Sequence, residues 1–442
     1  MSRRAISWLY SELPDLIQRG ILTPETGEAL RNHYGPADRN ALSGRKIFLW
    51  VFGVFGASLV GLGLILLFGS NWENLPRPLR AFLSLALLVS SQVISYSAIQ
   101  SGGCSSARRE GSAVFQSLCV GLCIALIGQT YNIPGNLASF LFSWMLLILP
   151  LAYLMQSGVV SAFYLTGITW WAGVVQIEGN QALAFWFLFA MFLPYFFWVI
   201  RKDRYSWESS WLSWLICLCL SVGTGISLEK AVPGLWIVVY LGLFGCFYLA
   251  GRTWWDESDS IWARPFHAFG AGGIFAISML LTYKGFWDSV GWYHYRYEKW
   301  IHPWAAWMDY ILSLTLPFAS IFLLVNCYSK LKDSCILYGI APILGIVCYC
   351  SSSLVPSVSL ALSLVVFNIY VLALGLATFR LGVLANNLTR MNGGLIILVI
   401  LIGARFLDTG LGFLLRGIGF ILLGTAFLAA NLWVGTRKEA EG

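Results

Sequence analysis

Residues 137–177 read LASFLFSWMLLILPLAYLMQSGVVSAFYLTGITWWAGVVQI, two apolar stretches, Leu137–Met155 and Gly158–Ile177, joined only by Gln156 and Ser157. A hydrocarbon core about 30 Å thick is crossed by about 20 helical residues at 1.5 Å rise each, so either stretch is long enough to span a bilayer. The short polar joint makes this segment a membrane hairpin. The same pattern recurs on both sides of it, from Ile47 almost to the C-terminus. Spans are expected near Ile47–Gly69, Leu79–Ile99, Ser112–Tyr131, Leu137–Met155, Gly158–Ile177, Gln181–Ile200, Ser209–Leu228, Val232–Ala250, Ala263–Thr282, Trp307–Tyr328, Cys335–Val355, Val358–Phe379, Met391–Leu407 and Gly417–Val434. The expected fold is an all-α polytopic membrane bundle of about fourteen transmembrane helices.

Composition agrees: 58% of residues are hydrophobic and 11% charged, against about 45–50% and 25% in soluble domains. The first apolar run follows a polar segment of residues 1–46 and is too long for the apolar region of a cleavable signal, so the first span is expected to stay in the membrane. Lys and Arg concentrate in that segment (Arg3, Arg4, Arg19, Arg31, Arg39, Arg45, Lys46) and in alternate loops: Arg108 and Arg109; Arg201, Lys202 and Arg204; Arg252 and Arg264; Lys330 and Lys332; Arg380 and Arg390; Arg437 and Lys438. The other loops carry fewer, chiefly Arg77, Arg80, Lys230, Lys284, Arg296 and Lys299. The positive-inside rule places both termini in the cytoplasm, including the tail 435–442, and favours an even number of spans. The net charge of +7 then reports topology, and no basic stripe on a reader fold points to nucleic acid.

The N-terminal segment reads as a cytosolic helical hairpin. Ile6, Leu9, Leu13 and Ile17 form one apolar stripe that Gly20 ends. Thr23 offers an N-cap oxygen, Pro24 takes the first helical position, and Glu25 and Glu28 suit the positive helix end. The hairpin is either a small appendage or the contact for an envelope protein partner. The external loop Tyr283–Trp307 is dense in aromatics, including Phe286, Trp287, Trp292, Tyr293, Tyr295, Tyr297, Trp300 and Trp304. Such rings favour the headgroup level, so an amphipathic helix in the outer interface is expected, with a lid over a lipid or sugar as the alternative.

Polar groups at membrane depth are the places to look for function, since an unpaired charge at the bilayer centre is disfavoured by about 2.5–3.5 kcal/mol or more. Arg405 and Asp408, three residues apart, face one way, and Arg416 follows after a glycine-containing turn. One carboxylate between two guanidiniums leaves net positive charge for a phosphate or carboxylate; the competing reading is a structural pair reaching the headgroups. Gln129, Thr130, Tyr131 and Asn132 end a span ahead of Pro134-Gly135, either as cavity lining or as a capped helix end. Glu73 and Arg77 flank the first external turn and are expected to pair. Mid-span Gln92 and Asn368 are expected to bond between helices, and Gly53, Ala57 and Gly61 to allow close packing.

Most of the ten cysteines sit inside spans, as Cys119 with Cys123, and read as small apolar fillers. His294, Glu298 and His302, four apart, are the weak metal-ligand candidates; no metal or other cofactor is expected. There is no phosphate-binding glycine loop with Lys, no metalloprotease helix and no nucleophile elbow, which argues against an enzyme and against ATP hydrolysis within this chain.

The N-terminal Leu13-Pro14-Asp15-Leu16-Ile17-Gln18-Arg19-Gly20-Ile21-Leu22-Thr23-Pro24-Glu25 with Leu30 and Tyr34, the Gly69-Ser70-Asn71-Trp72 turn, and Ala125-Leu126-Ile127-Gly128-Gln129-Thr130-Tyr131-Asn132-Ile133-Pro134-Gly135 resemble a family of predicted bacterial membrane proteins catalogued as a domain of unknown function. The resemblance is best over residues 1–155, and Arg405-Phe406-Leu407-Asp408 with Arg416 is similar to the closing segment of such proteins. It implies a bacterial inner-membrane location and lends no catalytic residues. The expected architecture is a hairpin at 1–46 and a bundle at 47–434 surrounded by membrane lipid. The favoured function is a transporter or flippase-like protein for an amphipathic or anionic substrate. The alternatives are a structural, sensory or assembly partner in the envelope, and a membrane enzyme acting on lipid-linked substrates.

Overall fold

The computed structural model describes residues 3–34, 48, 51–61, 63, 75–100, 106–180, 182–228, 234–255, 261–287, 290, 303–331, 336–354, 356–407, 414, 417–418, 421 and 424–425. They form α1 (Arg3–Gln18), α2 (Pro24–Tyr34), α3 (Val51–Gly61), α4 (Arg77–Gln100), α5 (Ser106–Tyr131), α6 (Leu137–Met155), α7 (Gly158–Ile177) and α8 (Ala184–Lys202). Then come α9 (Trp207–Ser227), α10 (Leu235–Trp254), α11 (Pro265–Leu280), α12 (Pro303–Leu331), α13 (Ile336–Gly339), α14 (Ala341–Leu354), α15 (Pro356–Leu384) and α16 (Leu388–Leu407). Among the described residues ten helices, α4 to α10 with α12, α15 and α16, are long and apolar enough to cross a membrane. Three further apolar stretches are shorter: α3, α11 and the α13–α14 pair. The last expected span, 417–434, lies almost wholly outside the described residues, so ten long and three shorter apolar helices stand where about fourteen spans are expected. The α13–α14 break falls where Pro342 has no N–H for the carbonyl of Tyr338.

The chain divides into two compact units, Met1–Asn180 with Ala184–Leu212, and Gln181–Leu183 with Ser213–Gly442. In the first, α1 and α2 pack against each other as two short helices: Leu13 is fully buried, Gly20 sits at φ +71°, and Thr23 Oγ1 accepts from the Thr26 N–H at 3.3 Å. The successive spans α4 to α8 then pack largely as antiparallel neighbours, as short links require. α3 lies on α5 through the expected small residues. A Cβ on Gly111 would reach the Gly53 carbonyl oxygen at 3.3 Å, and one on Gly61 would meet Leu118 at 2.6 Å.

The hairpin that decided the fold turns as tightly as its two-residue joint demands. Gln156 takes φ +47°, letting the Ser157 N–H donate to the Ala152 carbonyl and its own N–H to that of Tyr153, both at 3.3 Å. Ser157 then caps α7 by accepting from the Val160 N–H at 3.2 Å. Helix carbonyls and amides without partners are costly near hydrocarbon, so one residue closes a helix and the next opens another. Asn386 and Asn387 repeat the arrangement between α15 and α16, with Asn386 at φ +48° and Asn387 Oδ1 accepting from the Arg390 N–H at 3.1 Å.

In the second unit α10 is the central helix, with 67% of its apolar stretch buried, and it packs on α11, α12 and α14. Side-chain-free positions permit this. A Cβ on Gly270 would fall on the Tyr248 backbone nitrogen, one on Gly251 on that of His267, and one on Gly242 would come within 2.7 Å of Pro317 N. Between apolar helices in lipid, such close backbone approach supplies the dispersion contacts that burial from water supplies elsewhere. Trp287, expected in the outer interface, is instead 4% exposed, and its Nε1–H donates to the Leu281 carbonyl at 2.8 Å. The loop from 291 to 302 lies outside the described residues.

Hydroxyls inside the spans mostly serve their own helix. Ser84, Ser117, Thr130, Ser143 and Thr169 each donate to the carbonyl four residues back. Asn368 does the same, its Nδ2 donating to Leu364 O at 2.8 Å, in place of the expected bond between helices.

Candidate functional site

Among the described residues of the first unit the deepest acid is Glu110, one turn into α5 and 6% exposed. Its carboxylate meets the α6–α7 joint. The Ser157 hydroxyl donates to Oε2, the Gly158 N–H to Oε1 at 3.1 Å, and the Val159 N–H to Oε2 at 3.4 Å. A carboxylate from one helix thus closes the positive end of another, where free N–H groups and the helix dipole favour a negative charge. A second acid reaches the same turn. Glu208, in the first turn of α9, lies where a Cβ on Gly158 would stand 3.1 Å from its Oε1 and 3.0 Å from the Trp211 ring. A side chain at 158 would need both neighbours to give by a few tenths of an ångström.

Tyr195 completes the cluster, buried and donating its hydroxyl to Glu208 Oε1 at 3.4 Å. Pro194, inside α8, has no N–H to offer the preceding turn, and beside it the Tyr153 hydroxyl donates to the Met191 carbonyl at 2.6 Å and accepts from the Tyr195 N–H at 3.3 Å. A side chain from α6 thus bonds to two backbone groups that are four residues apart on α8, next to its proline. Arg109 is within electrostatic reach of both carboxylates, and Lys202 of Glu208. Two acids and two bases therefore meet at the end of this unit that carries Arg108, Arg109, Arg201, Lys202 and Arg204.

The residues singled out from the sequence fall elsewhere. Gln129 and Tyr131 lie in the last turn of α5, at the opposite end of the unit, and Asn132 follows the helix. Asn132 takes φ +50°, with its N–H donating to Gln129 O at 3.4 Å and the Ile133 N–H to Gly128 O at 3.0 Å. That is the capped-end reading of the segment, with Tyr131 and Ile133 both more than half exposed. Asn136 opens α6 with a reciprocal cap to Ser139, and its Nδ2 donates to Glu178 Oε2 at 2.7 Å. Arg77 begins α4 and is exposed; Glu73 lies outside the described residues.

In the second unit Arg405, at the end of α16, donates from Nη2 to Thr282 Oγ1 at 2.7 Å, and its guanidinium lies 4.4 Å from the Tyr283 ring centroid. Asp408, Arg416, His294, Glu298 and His302 are outside the described residues. Among those described, no three His, Cys, Asp or Glu residues gather in a metal-binding group, and Cys119 and Cys123 are free buried thiols.

Glu110, Glu208 and Tyr195 escaped the sequence reading. Arg108-Arg109-Glu110 looks like loop charge, and the one available signal was an acid immediately before an apolar run that starts with Gly111 and Ser112. No curated protein and no solved structure matches the chain. The chain is a multi-pass helical membrane protein whose residues 14–161, taking in Glu110, Ser157 and Gly158 but not Tyr195 or Glu208, match the family described as "Predicted membrane protein (DUF2157)".

Proposed function

We propose that the protein is a transporter or flippase for an amphipathic or anionic substrate in a bacterial cytoplasmic membrane, with both termini cytoplasmic and Glu110 as its coupling group. One observation carries this reading: a carboxylate buried among apolar spans, bonded to the joint of a membrane hairpin, beside a second carboxylate on another helix. Ionisable groups buried among membrane spans are rare and mark ion and substrate pathways and proton relays. Protonating Glu110 takes away part of the acceptor capacity offered to Ser157, Gly158 and Val159 and loosens the hold of α5 on the α6–α7 joint. Binding of one proton is thereby tied to a change in helix packing, the element that coupled movement needs. Arg405, beside Thr282 and Tyr283, enters the same reading as a contact for the anionic part of the substrate.

The test uses vesicles of phosphatidylethanolamine and phosphatidylglycerol holding the purified protein and fluorescent NBD-phosphatidylglycerol. Dithionite quenching then follows movement between leaflets with and without a pH gradient. Wild type should move the lipid faster than empty vesicles and respond to the gradient, and Glu110→Gln should lose that response. Movement no faster than in empty vesicles would remove the flippase reading, and an unchanged response in Glu110→Gln would remove Glu110 from the coupling.

A further inference from the structure

In the second unit, three arginine side chains from the ends of three helices gather around one imidazole, that of His267. Arg252 ends α10 and is 7% exposed. Arg264 directly precedes Pro265 at the start of α11, His267 lies in the first turn of α11, and Arg390 in the first turn of α16. His267 is within electrostatic reach of all three arginines. The His267 backbone is pressed on Gly251, and its ring lies 5.1 Å from that of Tyr248, which in turn stacks on Tyr338 at 4.7 Å. The N-terminal ends of two helices, α11 and α16, lie at the same cluster. Three planar guanidiniums with fork-shaped donors beside two positive helix ends suit one chemistry above others, a tetrahedral oxyanion with several acceptor oxygens.

We infer that Arg252, Arg264, His267 and Arg390 form a phosphate-binding site in the second unit, independent of the transport reading. Arg252, Arg264 and Arg390 all come from the set of basic loops that share one membrane face by the charge pattern, where anionic lipid headgroups gather. The phosphate belongs either to such a headgroup or to a free anion. Arg252 and Arg264 also have other interactions in the fold. The α10–α11 link carries Asp256, Glu257 and Asp259, outside the described residues, so a cluster neutralised by those acids is the outcome that must be excluded.

The experiment is thermal unfolding of the full-length protein in uncharged detergent, with inorganic phosphate, short-chain phosphatidylglycerol or, as control, short-chain phosphatidylcholine. Native mass spectrometry of the same samples counts retained ligand. The site predicts that phosphate or phosphatidylglycerol stabilises wild type while phosphatidylcholine does not. Stabilisation by phosphatidylglycerol alone assigns the phosphate to a lipid headgroup, and stabilisation by both assigns the site to the phosphate group itself. Each of Arg264→Gln and Arg390→Gln should weaken binding about tenfold or more, the worth of one charge-assisted contact, and Arg390→Lys should recover part of it. Arg201→Gln, an equal loss of charge at an exposed position in the first unit, should leave binding unchanged. No stabilisation of wild type by either ligand, or equal stabilisation of Arg264→Gln and Arg390→Gln, overturns the proposal. Because the wild-type measurement stands alone, a variant that fails to fold does not decide the matter.

Discussion

Replacing Glu110 by alanine removes the acceptor of three donors at once: the Ser157 hydroxyl and the Gly158 and Val159 N–H groups. Hydrogen bonds to a charged group contribute about 1.5–3 kcal/mol each. Against this stands the desolvation of the carboxylate, several kcal/mol, which alanine no longer requires. The Val160 N–H keeps its cap from Ser157 Oγ, so the helix start is weakened but not abolished. The balance is a loss of about 2–4 kcal/mol for Glu110→Ala, and about half that for Glu110→Gln, which keeps one carbonyl acceptor. For a unit of this size that shifts the unfolding midpoint down by on the order of 5–10 °C for alanine. The buried thiols of Cys119 and Cys123 lie in the same unit. Their reaction with a thiol-specific fluorophore on heating, in protein whose other cysteines are replaced by alanine, reports its opening. An alanine variant that opens within about 1 °C of its parent would show that the three bonds carry no net stability, and the reasoning from burial would be wrong.

Other substitutions test the packing and the caps. Gly270→Ala sets a methyl against the Tyr248 backbone and forces α10 and α11 apart, with an expected loss of about 1–3 kcal/mol. Gly272→Ala, with open space around it, should be neutral or gain about 0.5–1 kcal/mol from helix propensity; both are read by thermal unfolding followed through tryptophan fluorescence. Asn132→Gly should change stability by a few tenths of a kcal/mol, whereas Asn132→Val, β-branched at φ +50°, should lose about 1–3 kcal/mol. Trp144→Phe forfeits the bond from Nε1–H to the Ser117 carbonyl, 2.8 Å long, at about 1 kcal/mol. A wild-type midpoint in that variant would mean that water replaces the carbonyl's partner.

The spans were legible because hydrocarbon thickness sets their length whatever they pack against. The same holds for local chemistry: Gly20 with Thr23, and the Gln156–Ser157 joint, act through residues at most a few positions apart. Long-range pairing left no such trace. The partners of Glu110 lie 47 to 49 positions along the chain, and nothing in Arg108-Arg109-Glu110 announces which way that carboxylate turns. Trp287 shows the complementary limit. Its ring and N–H suit a headgroup or a protein interior equally well, and only the fold provides the Leu281 carbonyl that decides between them. Asn368 carried a polar amide at mid-span, but the carbonyl of its own preceding turn was a nearer acceptor than any neighbouring helix.

The hydroxyls that bond within their own helix and the acid that does not have different histories during synthesis. A span whose serines and threonines donate to carbonyls one turn back leaves the translocon with those hydroxyls already satisfied, and it can wait in lipid for its neighbours. α5 cannot wait in the same way, because Glu110 has no acceptor-matched donors until the ribosome has added α6 and the first turn of α7. The three segments should therefore partition into the membrane as a group. A chain stopped after α6 would hold a stranded carboxylate, recognisable to the quality-control proteases that extract misassembled helices.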